Sequence, residues 1–187
     1  MQEDIKKSFE TLQSGGTILY PTDTIWGIGC DATNANAIKK IFTIKKRSEG
    51  VPFIVLVDSV AMLERYVTEM PDVAYDLIDL SEKPITIIFD KAKNLPDDVI
   101  AEDGSIGIRV TTDPFNKQLI QKLRRPIVST SANFHGSPAP EFFKQIDKEI
   151  KAAVDYVVLH RQSETIKGQA SSIIKLKNNG EITIIRP

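Results

Sequence analysis

The chain has 187 residues, of which 41% are hydrophobic and 26% charged, and its formal net charge is −1. This length and hydrophobic content suffice for the buried core of a single globular α/β domain. The near-neutral charge argues against binding nucleic acid through the overall electrostatic field, so any anion site must be local. One cysteine, Cys30, and two histidines exclude a disulfide framework and argue against a zinc enzyme.

The sequence also lacks the marks of export. Residues 1–10 carry acidic side chains and no apolar stretch, so we expect no signal peptide. No apolar run approaches the length of a membrane span. We therefore expect a cytoplasmic protein without a membrane partner.

Helices and strands alternate along most of the chain. Apolar spacing and capping residues predict helices on Ile5, Phe9 and Leu12, from Asn34, from Ser59, from Pro71, from Asp113–Pro114 through Leu123, and near 141–152. Short β-branched runs predict strands at 17–21, 53–57, 84–89, 106–110, 126–130, 156–160, 171–176 and 182–186, the last two joined by a hairpin. We expect one domain over residues 1–187, a mixed parallel and antiparallel sheet with helices packed on it.

Polar stretches at strand ends are candidate ligand sites, because open α/β sheets usually bind ligands there. The first, "YPTDTIWGIGCDA" at 20–32, holds a loose dinucleotide fingerprint from Gly27 to Ala32. That fingerprint needs a strand running into its first glycine and a helix leaving at once, and neither is predicted here. We expect either a turn with glycines at special φ values, or Thr22 and Thr24 presenting hydroxyls to a small ligand.

The second stretch is "KKRSEGVP" at 45–52, at the end of an amphipathic helix. Cations are favourable at a helix C-terminus, and by itself the pattern favours this structural interpretation. Three consecutive residues do not share one helical face, however. One or two of Lys45, Lys46 and Arg47 are therefore expected to project as the chain leaves the helix.

The third stretch is the strand "SIGIRV", in which Arg109 has apolar neighbours. By alternation Gly107 and Arg109 share one face, and Gly107 leaves space beside the guanidinium. An arginine in the middle of a strand needs an anionic partner if it is buried. That partner is either an acidic side chain or a bound phosphate.

The fourth stretch, "PIVSTSANFHG" at 126–136, places four small polar residues after a hydrophobic strand. A helix cap explains one of them and not four, whereas hydroxyl and backbone N–H groups suit phosphates or carboxylates. The sequence contains no phosphate-binding P-loop, no nucleophile elbow and no His-Glu-x-x-His motif. His135 and His160 lack a paired nucleophile, so we assign them no catalytic role.

Taken together and in order, these stretches resemble the YrdC-like family. The resemblance covers about residues 10 to 187. "PTDT" matches the Pro-Thr-[Glu/Asp]-Thr signature of the family, and "KKRSEGVP" matches its Lys-x-Arg-x-x-x-x-Pro motif. The next three landmarks are matched by "PITIIF", "IGIRV" and "PIVSTSANFHGSPAP". It implies a twisted mixed α/β sheet with a large concave cavity. Because the chain stops just after Arg186, it is similar to the short, single-domain form.

The resemblance also implies an activity. Family members are nucleotidyltransferases that form threonylcarbamoyl-AMP and pyrophosphate from L-threonine, bicarbonate and ATP, towards threonylcarbamoyladenosine in tRNA. It implies Mg²⁺ held mainly through the ATP phosphates with no protein metal site, and as partners tRNA or double-stranded RNA and downstream threonylcarbamoyl-transferase proteins. Two alternatives stay open, a non-catalytic RNA-binding protein and a diverged relative that adenylates another carbamate.

Site residues follow from the matched motifs. The resemblance implies two sets, threonine-binding Thr24, Arg109, Ser129 and Ser171, and ATP-binding Lys45, Arg47, Ser105, Ser131, Asn133 and Arg186. Of these, Lys45 and Arg47 would carry the catalytic charge at the phosphates. Three positions depart from the family pattern: Leu56 replaces a histidine, Val51 an asparagine and Ser48 a proline. None removes a charge from the expected cavity.

Overall fold

The structure is a computed structural model that describes residues 1–48 and 53–187. Val51 and Pro52, which belong to the second polar stretch, lie outside the described residues. The helices are α1 (Gln2–Gln13), α2 (Ala35–Lys45), α3 (Val60–Leu63), α4 (Asp72–Leu80), α5 (Pro114–Leu123) and α6 (Lys148–Ala153). The strands are β1 (Ile18–Tyr20), β2 (Gly27–Gly29), β3 (Ile54–Val57), β4 (Ile85–Phe89), β5 (Ile106–Val110), β6 (Ile127–Ser131), β7 (Tyr156–Val157), β8 (Ser172–Leu176) and β9 (Ile182–Arg186).

Within the described chain these strands form one sheet in the order β7-β1-β2-β6-β3-β5-β4-β8-β9. The pairs β1–β7, β3–β5 and β4–β8 are parallel, and the other neighbours are antiparallel. The expectation of an α/β fold with a mixed sheet is confirmed. Across the described residues, no helix combines the length and the apolar character that crossing a bilayer requires.

The strand β2 corrects one of the two alternatives expected for residues 20–32, a turn with glycines at special φ values. Neither of its glycines has a positive φ angle, both pair with β1, and Gly27 also pairs with Ser131 of β6. A Cβ on Gly29 would lie 2.6 Å from the Tyr20 ring and 2.6 Å from the Val128 carbonyl oxygen, so glycine allows the strands to approach. Because α2 begins only at Ala35, the dinucleotide fingerprint lacks its structural context.

Two further elements are shorter than expected. The helix expected near 141–152 is a 3₁₀ turn at Phe143–Gln145 followed by α6, because the Asp147 side chain accepts a hydrogen bond from Glu149 N at 2.7 Å and starts a new helix. The strand expected at 156–160 ends at Val157. The Asp4 carboxylate accepts the backbone N–H groups of residues 159 and 160, so they bond to a side chain instead of a neighbouring strand.

Candidate active site

A cavity of about 460 Å³ lies over one face of the sheet. Its lining comes from β2, β6, β3, β5, β4, β8 and β9, which are seven consecutive neighbours in the sheet. Alternate residues of a strand share a face, and the lining accordingly includes Gly107 and Arg109 of one strand and Ser129 and Ser131 of another. The polar side chains are therefore collected on a sheet face and not only at strand ends.

Eight of the ten residues predicted for the site line this cavity. They are Thr24, Arg47, Ser105, Arg109, Ser129, Ser131, Ser171 and Arg186. The two that the lining does not include are Lys45 and Asn133. Residues far apart in the sequence are thus brought together as the motif order implies.

Arg109 is held by an acidic side chain. Its Nη2 lies 3.2 Å from Asp23 Oδ1, and both side chains are buried. Asp23 Oδ2 in turn accepts hydrogen bonds from Thr111 Oγ1 at 3.2 Å and Thr112 N at 3.4 Å. Burial lowers the pKa of the Arg109 guanidinium, and the Asp23 charge opposes that shift. Of the two kinds of partner that the sequence left open for Arg109, the structure shows an acidic side chain.

The hydrogen-bonding capacity of this ion pair is not fully used. Arg109 Nε and Asp23 Oδ1 are buried without a hydrogen bond in the part of the chain that the structure describes. A buried guanidinium N–H without an acceptor is costly. Since Arg109 also lines the cavity, it is able to bind the carboxylate of a ligand while it keeps its pairing with Asp23.

Thr24 presents an acceptor to the cavity. Thr22 Oγ1 donates its hydrogen to the Ile25 carbonyl oxygen at 2.7 Å and lies 2.8 Å from Thr24 Oγ1. Because a hydroxyl has only one hydrogen, the Thr24 hydroxyl must be the donor in the bond between the two threonines. Its lone pairs are then available to an amine or hydroxyl of a ligand.

Lys45 fixes the loop that follows β6. Its side chain is 2% exposed, and Nζ donates to the carbonyl oxygens of Ser131 and Asn133, each at 2.6 Å. Its own carbonyl oxygen accepts from His135 N at 3.0 Å. Burial, and then the nearby Arg47 charge, lower the pKa of Lys45 to about 8. From the sequence we expected Lys45 to face the ATP phosphates, whereas its ammonium is turned to this loop.

The chain leaves α2 through a Schellman turn, which separates the three cations. Lys46 adopts the left-handed conformation with φ 50°, and the N–H groups of Lys46 and Arg47 bond to Thr43 O and Phe42 O. Arg47 then reaches the cavity and lies 4.9 Å from the centroid of the Phe53 ring. Burial lowers the pKa of its guanidinium.

Lys46 points elsewhere. Its Nζ lies 3.0 Å from Glu149 Oε2 and 4.2 Å from the centroid of the Phe134 ring, with the side chain 66% exposed. It therefore joins the end of α2 to α6 on the surface. Among the three consecutive cations, Arg47 lines the cavity, Lys45 holds its loop and Lys46 lies outside.

Three further positions that the sequence singled out, Asn133, Ser105 and Leu56, lie next to other groups of the protein. Asn133 Nδ2 donates to Phe134 O at 3.0 Å and to Ser137 O at 2.5 Å, so this side chain shapes the loop. Ser105 N donates to Asp103 Oδ1, and hydrogen bonds from Ser105 lower the pKa of Asp103 to about 2. Leu56 is buried in β3, next to Arg109 in the sheet register.

Thr86 and Trp26 were not among the residues predicted from the sequence. Thr86 lines the cavity, and its Oγ1 lies 2.9 Å from Ser171 Oγ. A single hydroxyl in the apolar run "PITIIF" was the available signal. Trp26 lies between the lining residues Ile25 and Gly27, and its ring packs at a tilt against the Phe143 ring, with 4.8 Å between the centroids. Its carbonyl oxygen accepts a hydrogen bond from Ala132 N at 3.0 Å.

The cavity is suited to anions. Its lining contains three guanidinium groups, those of Arg47, Arg109 and Arg186, and several hydroxyl groups. Over residues 1–48 and 53–187, no three histidine, cysteine or acidic side chains are grouped so that they could hold a metal ion. Fold and site together define an α/β protein that binds an anionic small molecule over the face of its sheet.

Comparisons with known proteins give the family. The family model for Sua5, YciO and YrdC, described as "Telomere recombination", matches residues 10–187. The chain is 30% identical over 185 residues to the threonylcarbamoyl-AMP synthase of Pseudoalteromonas translucida, covering 97% of each protein. It is 34% identical to that of Coxiella burnetii over 73% of this chain and 74% of the relative. The protein belongs to the Sua5/YciO/YrdC family.

Solved structures agree on the fold. E. coli YciO superposes with a TM-score of 0.84 at 25% identity, covering all of this chain and 89% of YciO. A doubly substituted P. abyssi Sua5 gives a TM-score of 0.88 at 26% identity over 98% of this chain. P. abyssi Sua5 complexed with L-threonine gives 0.84 at 24% identity, which supports the fold alone. This chain spans about half the length of the two Sua5 chains, 56% and 53%.

Proposed function

We propose that this protein is an L-threonylcarbamoyladenylate synthase, which forms threonylcarbamoyl-AMP and pyrophosphate from L-threonine, bicarbonate and ATP. The observation that carries the proposal is that one cavity gathers Arg109 and hydroxyl groups with the further cations Arg47 and Arg186. An amino acid brings one carboxylate and ATP brings several phosphate charges, and this lining has groups for both. The names of the relatives that match nearly the whole chain support the same activity.

The chemistry explains why the cavity needs no catalytic histidine or cysteine. The threonine amine attacks CO₂ derived from bicarbonate, forms a C–N bond and loses a proton, which gives a carbamate. A carbamate oxygen then attacks the α-phosphorus of ATP, and the P–O bond to pyrophosphate breaks. No protein group has to take a proton at phosphorus. The protein must align two reactants and stabilise phosphate charge.

Individual residues have roles in this scheme. Arg109 binds the threonine carboxylate with its guanidinium fork, and the lone pairs of Thr24 accept a hydrogen bond from threonine. Arg47 places positive charge at the phosphates. Lys45 contributes by holding the backbone that carries Ser131, whose hydroxyl is able to donate to the substrate without adding charge. That loop is uncharged because the substrates are themselves charged.

Mg²⁺ enters the proposal as the partner of ATP. The described cavity lining contains no carboxylate, so it offers no anionic protein ligands to a divalent ion. The phosphates of ATP are the oxygen ligands available to it, in keeping with the preference of Mg²⁺ for few protein ligands. Bound there, the ion would neutralise phosphate charge beside Arg47.

The wider setting is also part of the proposal. The product is an activated carbamate, which downstream threonylcarbamoyl-transferase proteins would transfer to an adenosine of tRNA. The cytoplasmic location and the direct binding of tRNA or double-stranded RNA stay predictions from the sequence.

The test is pyrophosphate release from ATP by the purified protein with Mg²⁺. We expect release only when L-threonine and bicarbonate are both present. Serine should be a poorer substrate by about 1 kcal/mol or more in transition-state binding, because a pocket fitted to the threonine methyl loses that contact. Equal release with no amino acid would overturn the assignment. Faster release with another amine would identify a diverged relative, and salt-sensitive RNA binding without ATP consumption would favour a binding protein.

A further inference from the structure

A buried hydroxyl on β4 has no role in the scheme above. Thr86 lies between Ile85 and Ile87, its side chain is 0% exposed, and it faces the cavity. Burying a hydroxyl costs free energy unless it is hydrogen-bonded. The hydrogen bond found for Thr86 Oγ1 in the described residues goes to Ser171 Oγ, at 2.9 Å.

Ser171 is also held by Arg186. The Nε and Nη2 atoms of Arg186 donate to the Ser171 carbonyl oxygen at 2.9 and 2.7 Å, and Nη2 lies 3.5 Å from Ser171 Oγ. A guanidinium group has donors and no acceptor. Ser171 Oγ can therefore only accept from Arg186.

The direction of the bond between the two hydroxyls follows from counting hydrogens. If Ser171 donated to Thr86, the hydrogen of the buried Thr86 hydroxyl would have no acceptor in the described residues. If Thr86 donates, its hydrogen is satisfied, and a spare lone pair costs less than a spare donor. Ser171 Oγ then accepts from both neighbours with its two lone pairs, and its single hydrogen is left for an acceptor in the cavity, which Ser171 lines.

We propose that Thr86 is a positioning residue that orients the Ser171 hydroxyl as a hydrogen-bond donor to an anionic oxygen of the amino-acid substrate, either its carboxylate or the carbamate formed from it. This role rests on the proposed function. The arrangement favours an acceptor facing Ser171 and disfavours a ligand that places an N–H or O–H there.

The test compares Thr86→Val, which has nearly the shape of threonine and no hydroxyl, with Thr86→Ser, which keeps the hydroxyl. In pyrophosphate release, Thr86→Val should raise the KM for threonine about tenfold, the scale of one hydrogen bond to a charged group. The KM for ATP should change less than about twofold on the same reasoning, and Thr86→Ser should stay near wild type. Thr183→Val, on the exposed face of β9, is the matched control.

A double-mutant cycle separates positioning from packing. If Thr86 acts through Ser171, Thr86→Val combined with Ser171→Ala should cost no more than Ser171→Ala alone. Additive effects, or a lower Tm with an unchanged ratio of the two KM values, would overturn the proposal. If Thr86→Val does not fold, Thr86→Ala makes the same comparison, since it also removes the hydroxyl without burying a new polar atom.

Failure of the proposed function gives a different pattern. Wild-type protein that releases no pyrophosphate would overturn the function, and calorimetric titration with threonine alone would then decide the role of Thr86. Weaker threonine binding by Thr86→Val than by wild type and Thr86→Ser would support it. Equal binding by all three proteins, or no binding by wild type, would overturn it.

Discussion

Arg109 and Lys45 are both buried cations near the cavity, and they are stabilised in different ways. Arg109 lies on a strand beside the Asp23 carboxylate, whereas Lys45 ends a helix and bonds to two backbone carbonyl oxygens. A carboxylate balances a charge, while carbonyl dipoles only solvate it. Arginine keeps its charge in any protein, but the pKa of Lys45 is lowered to about 8.

Arg109 and Lys45 therefore contribute to one site in two different ways. Arg109 lines the cavity, so its charge is available to a ligand. Lys45 does not line it and acts on the position of residues 131–133. Substitutions of Arg109 should therefore change ligand affinity and the balance of buried charge. Substitutions of Lys45 should change the geometry of the loop.

The largest expected effect is on stability, from Asp23→Asn. The substitution leaves Arg109 buried without a counter-charge, and breaking a buried ion pair from one side typically costs about 3–5 kcal/mol. The free energy of unfolding, measured by urea denaturation, should fall on that scale. Asp23→Glu keeps the charge and should lose much less. An unchanged free energy of unfolding in Asp23→Asn would show that the pair does not stabilise the fold.

Alanine substitutions in the Lys45–Arg47 segment should have unequal effects on activity. Lys45→Ala and Arg47→Ala should each slow pyrophosphate release by about 10²-fold or more, the scale of a lost preorganised charge or of a displaced loop. Lys45→Ala should also lower the Tm, because it removes two buried hydrogen bonds, whereas Arg47→Ala should barely change it.

Lys46→Ala is the matched control for that series. Its ion pair is exposed, so the substitution should cost a few tenths of a kcal/mol and leave activity near wild type. Similar activities for all three variants would mean that these cations only complete a helix end, and the nucleotide site would lie elsewhere.

Arg109→Lys tests whether one guanidinium serves both Asp23 and the substrate. Lysine cannot reproduce a bidentate fork, so the KM for threonine should rise about tenfold and the KM for ATP much less. The Tm should fall as well, because the contact with Asp23 is altered. A lower Tm with an unchanged ratio of the two KM values would mean that Arg109 pairs with Asp23 and does not bind threonine.

The pH dependence gives the smallest effect and isolates Lys45. The folded protein loses the Lys45 proton near pH 8, and the unfolded chain near the ordinary lysine pKa of 10.5. Between these values the unfolded state binds more protons, so this group makes stability rise with pH. Activity should fall over the same window, because the neutral amine that remains donates more weakly than the ammonium to the two carbonyl oxygens that fix the loop. Lys45→Met should remove both trends. If the activity of that variant still falls over the same pH window, another group causes the fall.

Much of the fold and the composition of the cavity followed from the sequence. Alternation in "SIGIRV" placed Gly107 and Arg109 on one face, and eight of the ten residues predicted from the motifs line one cavity, while their roles stay predictions. These inferences worked because they depend on local periodicity or on a pattern that runs along the whole chain.

The missed features depend on contacts between distant residues. The pairing of Asp23 with Arg109 and of Thr86 with Ser171 joins positions more than 80 residues apart, and no local pattern signals it. The strand β2 was missed because glycine is disfavoured in strands, and the packing of Tyr20 and Val128 against Gly29 overrides that preference. The direction of Lys45 depends on the carbonyl groups of a loop that comes 86 residues later.

The position of Trp26 makes the protein its own optical reporter. It is the single tryptophan of the chain, it is buried, and it lies between two residues that line the cavity. Its carbonyl oxygen is bonded to Ala132, in the loop that Lys45 holds. We therefore expect a ligand that shifts this loop to change the surroundings of the one indole. Its intrinsic emission can follow the occupancy of the site in unlabelled wild-type protein, without any turnover.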